Sequence, residues 1–222
     1  MTYEIILVNV YRALQKVSEY SVMLPILVGV LKLQLLDQTS RLVLFLLVIA
    51  SFPQLSAEYA SYDMKQLMYN VYTLFDLLMW GLIFWLSIRY IRARIWIGIM
   101  IAVFVIISTF FFVTFGITKI FIAQLVCLSS FIQVCFVLLY FYDIYVRDDR
   151  LILPSLPMFW FAVALLFYAP VTYFHFAFFD SVTADLKIIH NVFNTLMYSI
   201  ITVGFLQIQR VSYSSTNITS YK

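Results

Sequence analysis

The chain has 222 residues, of which 64% are hydrophobic and 11% are charged, with a mean hydropathy of +0.97 and a formal net charge of +3. A soluble domain carries about 25% charged residues, so this composition excludes a soluble globular protein and indicates an integral membrane protein. The basic residues stand at the ends of hydrophobic blocks, where membrane topology explains them, so the charge does not indicate a nucleic-acid partner.

Seven hydrophobic blocks are long enough to cross a bilayer as helices. They predict an all-α membrane protein with a seven-transmembrane helical bundle over residues 19–209. A short amphipathic segment, residues 1–18, precedes the bundle, and a polar tail, residues 210–222, follows it. Because the connections between blocks are short, neighbouring helices are predicted to be antiparallel.

Lys and Arg residues set the predicted orientation. Nine of the 14 belong to links on one side of the bundle, and an excess of basic residues marks the cytoplasmic side. The N-terminus is therefore predicted to lie outside and the C-terminus in the cytoplasm, in a multi-pass protein of the inner (cytoplasmic) membrane. The basic links also favour contact with anionic membrane lipids.

Known catalytic and cofactor patterns are not found in the sequence. It contains no CxxC, HExxH, Walker A or GxGxxG motif, so neither a cofactor nor a metal site is predicted. Cys127 and Cys135 lie two turns apart on one predicted helix and cannot reach each other for a disulfide.

Several polar residues stand inside the hydrophobic blocks, where each costs free energy unless another group pairs with it. The last block, residues 186–208, carries two of them one helical turn apart, and the third block carries an ionisable carboxylate. Counted from the block ends, these polar residues fall in the outer half of the bundle. They indicate an outward-opening ligand pocket between spans two, three, six and seven. The predicted lining residues are Gln54, Glu58, Asn70, Asp76, His175, His190 and Asn194.

Two alternatives stay open for these residues. Hydrogen bonds between helices, worth about 0.6 kcal/mol each, would explain them without a ligand. If the pocket is real, His190 and Asn194 either orient a ligand or proton, or His190 donates a hydrogen bond to Asp76 and keeps it ionised.

Four blocks, YSVMLPILVGVLK, NVYTLFD, PMFWFAVALLFY and IIHNVFNTLMYSIITVGF, together resemble a group of small seven-span membrane proteins of Bacteroidota. The resemblance implies the seven-helix architecture and a membrane sensor that works with a separate signalling protein. The positions that carry it are Pro25, Gly29, Asn70, Tyr72, Thr73, Asp76, His190, Asn191, Asn194, Gly204 and Phe205.

The segment TVGFLQIQR is also similar to the last helix of microbial rhodopsins around their retinal lysine. Thr202 stands at the position of that lysine. Without an amine there a retinal Schiff base cannot form, so a light-driven pump or photoreceptor of that type is not expected.

The function predicted from these features is a receptor-like membrane sensor. A small uncharged or amphiphilic ligand would enter the pocket, and a histidine-kinase-type partner would carry the signal, since the short tail cannot hold an output domain. One alternative is an intramembrane lipid-modifying enzyme, with Asp76 and either Glu58 or His190 as acid and base. A second is a structural membrane subunit with no ligand. A transporter is disfavoured because the inner half of the bundle is apolar.

Overall fold

The computed structural model describes residues 2–56, 59–119, 121–147, 152–178 and 184–218. All regular structure in these ranges is helical, with short 3₁₀ turns at Leu33–Leu35 and Leu153–Ser155. The α-helices are α1 (Thr2–Ser21), α2 (Met23–Leu31), α3 (Gln38–Ser56), α4 (Tyr62–Ser87), α5 (Ile91–Phe115), α6 (Ala123–Arg147), α7 (Pro157–Ala177) and α8 (Ala184–Ile218).

Within the described residues, seven helical stretches are long and apolar enough to cross a membrane. This confirms the predicted all-α bundle of seven apolar helices, while its orientation stays a prediction. The first stretch, Arg12–Leu31, combines the second half of α1 with α2, and the last, Lys187–Ile208, is the central part of α8. Both α1 and α8 continue as helix across the predicted ends of the bundle at residues 18 and 209.

The break between α1 and α2 at Val22 follows from Pro25. Proline has no N–H to donate to the carbonyl four residues earlier, and its ring crowds that carbonyl. Downstream, the N–H of Ile26 reaches the Val22 carbonyl at 3.5 Å, so the helix resumes within a turn. The first span is thus a broken helix, as proline inside a helix leads one to expect.

Six of the seven spans form a closed ring. The first span packs against α3 and α8, α3 packs against α4, α4 against α6, and α7 along both α6 and α8. Helix α5 lies outside the ring and packs on α4 and α6. Its span has the smallest buried share of the seven, 17%.

Bulky apolar side chains fill the ring toward one end, which we call the basic end because Arg89, Arg92, Arg94 and Arg147 lie there. Phe84, Phe136, Phe161 and Phe205 are all fully buried. Phe161 and Phe205 pack edge to face with ring centroids 5.2 Å apart, which joins α7 to α8. A Cβ atom built on Gly204 would lie 2.6 Å from the Phe161 ring, so only glycine lets α7 approach α8 this closely.

A charged pair is also buried at the basic end, contrary to the prediction that this half of the bundle is entirely apolar. Asp143 of α6 is fully buried and accepts hydrogen bonds from the backbone N–H groups of Arg89 (3.1 Å) and Tyr90 (2.7 Å). The guanidinium of Arg147 pairs with the same carboxylate and donates to the Ser87 carbonyl at 3.3 Å. Asp143 therefore supplies the acceptors that the N–H groups before α5 need, and it ties the α4–α5 connection to α6.

Candidate functional site

A cavity of about 490 Å³ occupies the other half of the ring. All six ring spans contribute to its lining, and no described residue of α5 does. Along α4 it extends from Lys65 in the second half of the first turn to Trp80, a distance of about 22 Å at 1.5 Å per residue. We call the end of the bundle near Lys65 the cavity end. The volume lies in the range of small-molecule sites, about 300–1,000 Å³.

Asp76 lies deep in the cavity, near the middle of α4 and about 21 Å from its first residue. Its Oδ2 accepts a hydrogen bond from Nε2 of Gln133 on α6 at 2.6 Å, and its Oδ1 accepts one from the Tyr72 hydroxyl at 3.4 Å. Asp76 is only partly buried, and it lines the cavity. A carboxylate oxygen can accept more than one hydrogen bond, so the group keeps acceptor capacity for a further partner.

Asn194 joins the last helix to the first across the ring. Its side chain is 7% exposed, and its Nδ2 donates to the Ser18 hydroxyl at 2.9 Å. Its Oδ1 lacks a hydrogen-bond partner among the described residues. Leaving such a buried acceptor unpaired costs about 1–3 kcal/mol.

His190, one turn before Asn194, lies in an aromatic cluster near the cavity end. Its ring stacks on His175 of α7, with centroids 4.6 Å apart and planes inclined by 17°, and it lies 5.8 Å from the Tyr168 ring. The alternative hydrogen bond from His190 to Asp76 is not formed, and Gln133 and Tyr72 donate to that carboxylate. His190 therefore belongs to the wall of the cavity and not to the group around Asp76.

Gln54 links α3 to α8 on another wall. Its Nε2 donates to the Tyr198 hydroxyl at 2.7 Å, and both residues line the cavity. Its Oε1 is a second buried acceptor without a hydrogen-bond partner in the described part of the chain. The α3 and α8 walls thus each present one unpaired amide oxygen.

The structure brings together four of the seven residues predicted for the pocket. Gln54, Asp76, His190 and Asn194 line the cavity. His175 stacks behind His190 and does not occur among the lining residues of the described chain, and Glu58 lies outside the described residues. Any role of these residues in ligand binding stays a prediction.

Asn70, which was also predicted for the pocket, does not line the cavity. Its Nδ2 donates to the Ile117 carbonyl at 2.9 Å, and its Oδ1 accepts from the Ile122 N–H at 3.1 Å. The amide therefore fastens the α5–α6 connection to α4. Asn70 and Asp76 are six residues apart on α4, and at about 100° per residue their side chains leave the helix roughly 120° apart.

We expect Asn70→Ala to loosen the α5–α6 connection without unfolding the bundle. The change leaves a backbone N–H and a carbonyl without their partner, and each such loss costs about 1 kcal/mol or more. Hydrogen–deuterium exchange should therefore be about tenfold faster at the Ile122 amide and unchanged in α8. Unaltered exchange at Ile122 would contradict the role given to Asn70.

Sequence reasoning missed several cavity residues. A lone amide in the middle of an apolar span, such as Gln133, is itself a signal. The spacing of Tyr72 does place it beside Asp76, since it lies one turn before that residue on the same face of α4. The contributions of α1 (Gln15, Ser18 and Glu19) and of Tyr168 and Tyr198 depend on how the helices are rotated in the bundle.

Comparison with protein-family models, with curated proteins and with solved structures finds no match in any of the three. The resemblance to proteins of Bacteroidota therefore stays an expectation. The seven candidate spans show a multi-pass helical membrane protein. Within the described residues, no group of three or more His, Cys, Asp or Glu side chains is arranged to hold a metal ion.

Proposed function

We propose that the protein is a receptor-like membrane sensor that binds a small amphiphilic ligand in the cavity. The observation that carries this proposal is that residues of six spans line the cavity, which gives an occupant contact with most of the bundle. A ligand that fits one packing of these helices better than another shifts the population toward that packing.

The chemistry of the cavity wall favours an amphiphilic molecule. Apolar and aromatic side chains such as Leu46, Trp80 and Leu165 line it together with the polar residues Asp76, Gln54 and Asn194. Ligand sites combine a mostly apolar wall with a few placed polar groups in this way. Asp76 accepts from an amide and a phenol and not from His190, which supports binding over acid–base catalysis.

Helix α8 offers a route from the cavity to a signalling partner. It lines the cavity from His190 to Ile201 and continues as one helix to Ile218, ten residues past the end of its candidate span at Ile208. Ten helical residues measure about 15 Å. A shift of α8 at the cavity would therefore move its extension at the basic end, where we propose that a histidine-kinase-type partner docks.

Filling the cavity should abolish ligand retention. Ser130 is buried on the cavity wall, so Ser130→Phe adds a ring inside it, whereas Gly98→Phe adds the same ring on α5 where no atom lies within 4 Å. Each variant is extracted into polymer nanodiscs with its native lipids, and small molecules that co-purify are identified by mass spectrometry. We expect at least one compound to be enriched tenfold or more with wild type and Gly98→Phe over Ser130→Phe.

The smaller change Ser130→Leu serves the same purpose if the phenylalanine variant does not purify as a folded protein. Gel filtration and circular dichroism establish folding in each case. If folded Ser130 variants retain the same compounds as wild type at the same level, the proposed ligand site is wrong.

A further inference from the structure

We infer that the ligand of the cavity carries a cationic amine, which pairs with the Asp76 carboxylate. This conclusion rests on the proposed function and gives the chemical class of the ligand. It follows from the charge of Asp76, from the aromatic side chains that share its cavity and from the amide side chains of Gln54 and Asn194 in the cavity wall.

The charge on Asp76 has no basic partner in the described protein. Its two hydrogen bonds come from Gln133 and Tyr72, and both donors are neutral. The ion pairs of the described residues are Lys16 with Glu19 and Arg147 with Asp143, neither of which includes Asp76. A carboxylate deep inside a membrane bundle is costly unless a proton or a cation compensates it.

Aromatic side chains share the cavity with the carboxylate. Tyr72 donates a hydrogen bond to it, and Tyr168, Tyr198 and Trp80 line the same cavity, with Trp80 one turn along α4 from Asp76. The faces of such rings attract an ammonium group, with about 0.5–2 kcal/mol for each good contact. A proton on Asp76 would satisfy its charge but would leave this arrangement of rings unexplained.

The remaining polar groups suit a donor-rich head group. An ammonium ion has up to three N–H donors and no acceptor. The unpaired oxygens of Gln54 and Asn194 are acceptors, and both residues line the same cavity. Among the described Lys and Arg residues, Lys65 alone lines the cavity, about 16 Å from Asp76 along α4, so the deep part of the cavity carries no competing fixed cation.

Paired amines and alcohols of equal shape test this inference on the full chain in lipid nanodiscs. The probes are phenethylammonium against 2-phenylethanol and hexylammonium against hexan-1-ol, titrated by calorimetry with protein-free nanodiscs as the baseline. We expect at least one amine to bind tenfold or more tightly than its alcohol. Asp76→Asn should remove that preference.

Asp63→Asn is the matched control, because Asp63 is an exposed carboxylate in the first turn of the same helix and does not line the cavity. It should keep the amine preference. If Asp76→Asn does not fold, a second measurement on the wild-type chain still tests the inference. Carbodiimide modification of Asp76, mapped by mass spectrometry, should be slowed by phenethyltrimethylammonium, a quaternary ammonium ion that cannot couple to the activated carboxyl, and not by the alcohol.

Equal binding of amine and alcohol, binding by neither, or a preference that survives in folded Asp76→Asn overturns the inference. If the quaternary ammonium ion does not slow carbodiimide modification of Asp76, the inference is overturned as well. These results leave the proposed function standing, since it is tested separately by the compounds that co-purify with wild type and not with the Ser130 variants.

Discussion

Asp143→Ala is expected to lower the stability of the folded bundle by about 3–5 kcal/mol, the usual cost of removing one partner from a buried ion pair. The variant leaves the Arg147 guanidinium without its carboxylate and the N–H groups of Arg89 and Tyr90 without their acceptor. Denaturant titration of the purified protein in mixed micelles, followed by circular dichroism, measures the change.

Asp63→Ala removes a carboxylate from an exposed position and is expected to change stability by no more than about 0.5 kcal/mol. The double variant Asp143→Ala/Arg147→Met should be more stable than Asp143→Ala alone, because it also removes the cation that has lost its carboxylate. Equal stability of Asp143→Ala and Asp63→Ala would show that the buried pair does not support the α4–α5 connection.

Gly204→Ala should be less stable than Gly98→Ala by about 1–3 kcal/mol, the range for overpacking a filled core. Its new methyl group would lie 2.6 and 2.9 Å from two ring atoms of Phe161, which is fully buried and cannot swing away. Gly98 has no atom within 4 Å of the same position, so Gly98→Ala measures the gain in helix propensity alone. The same denaturant titration compares the two variants.

Phe161→Leu in the Gly204→Ala background should recover part of the loss, since the shorter side chain gives the methyl group room. If Gly204→Ala and Gly98→Ala have the same stability, the close approach of α7 and α8 is not a constraint on the sequence.

The seven helices could be predicted from hydrophobic block length, because a bilayer requires about 20 apolar residues in a row and leaves backbone groups no alternative to helix. The half of the bundle that holds the polar groups could also be predicted. Gln54, Asp76, His190 and Asn194 each cost free energy in lipid, so mutual proximity was the physical expectation, and all four line the cavity.

Which residue pairs with which could not be predicted from one sequence. In a helix of a soluble protein the apolar stripe shows which face points inward. In these membrane spans most faces are apolar, so the rotation of each helix about its axis is set by how its side chains pack against neighbouring helices. The side chain that donates to Asp76 is therefore Gln133 and not His190. Asp143 was missed for a related reason: it stands beside a run of charges at a block end, where a solvated position is the ordinary expectation.

The ring has a consequence for how the protein is made. Hydrogen bonds join its first and last members. Asn194 donates to Ser18, and Nζ of Lys32 donates to the carbonyl of Leu206 at 2.9 Å. More than 170 residues separate the partners in each contact. The ring closes only after α8 has been translated, because the last span packs against the first. A chain truncated at the start of α8 therefore lacks the cavity wall that runs from His190 to Ile201.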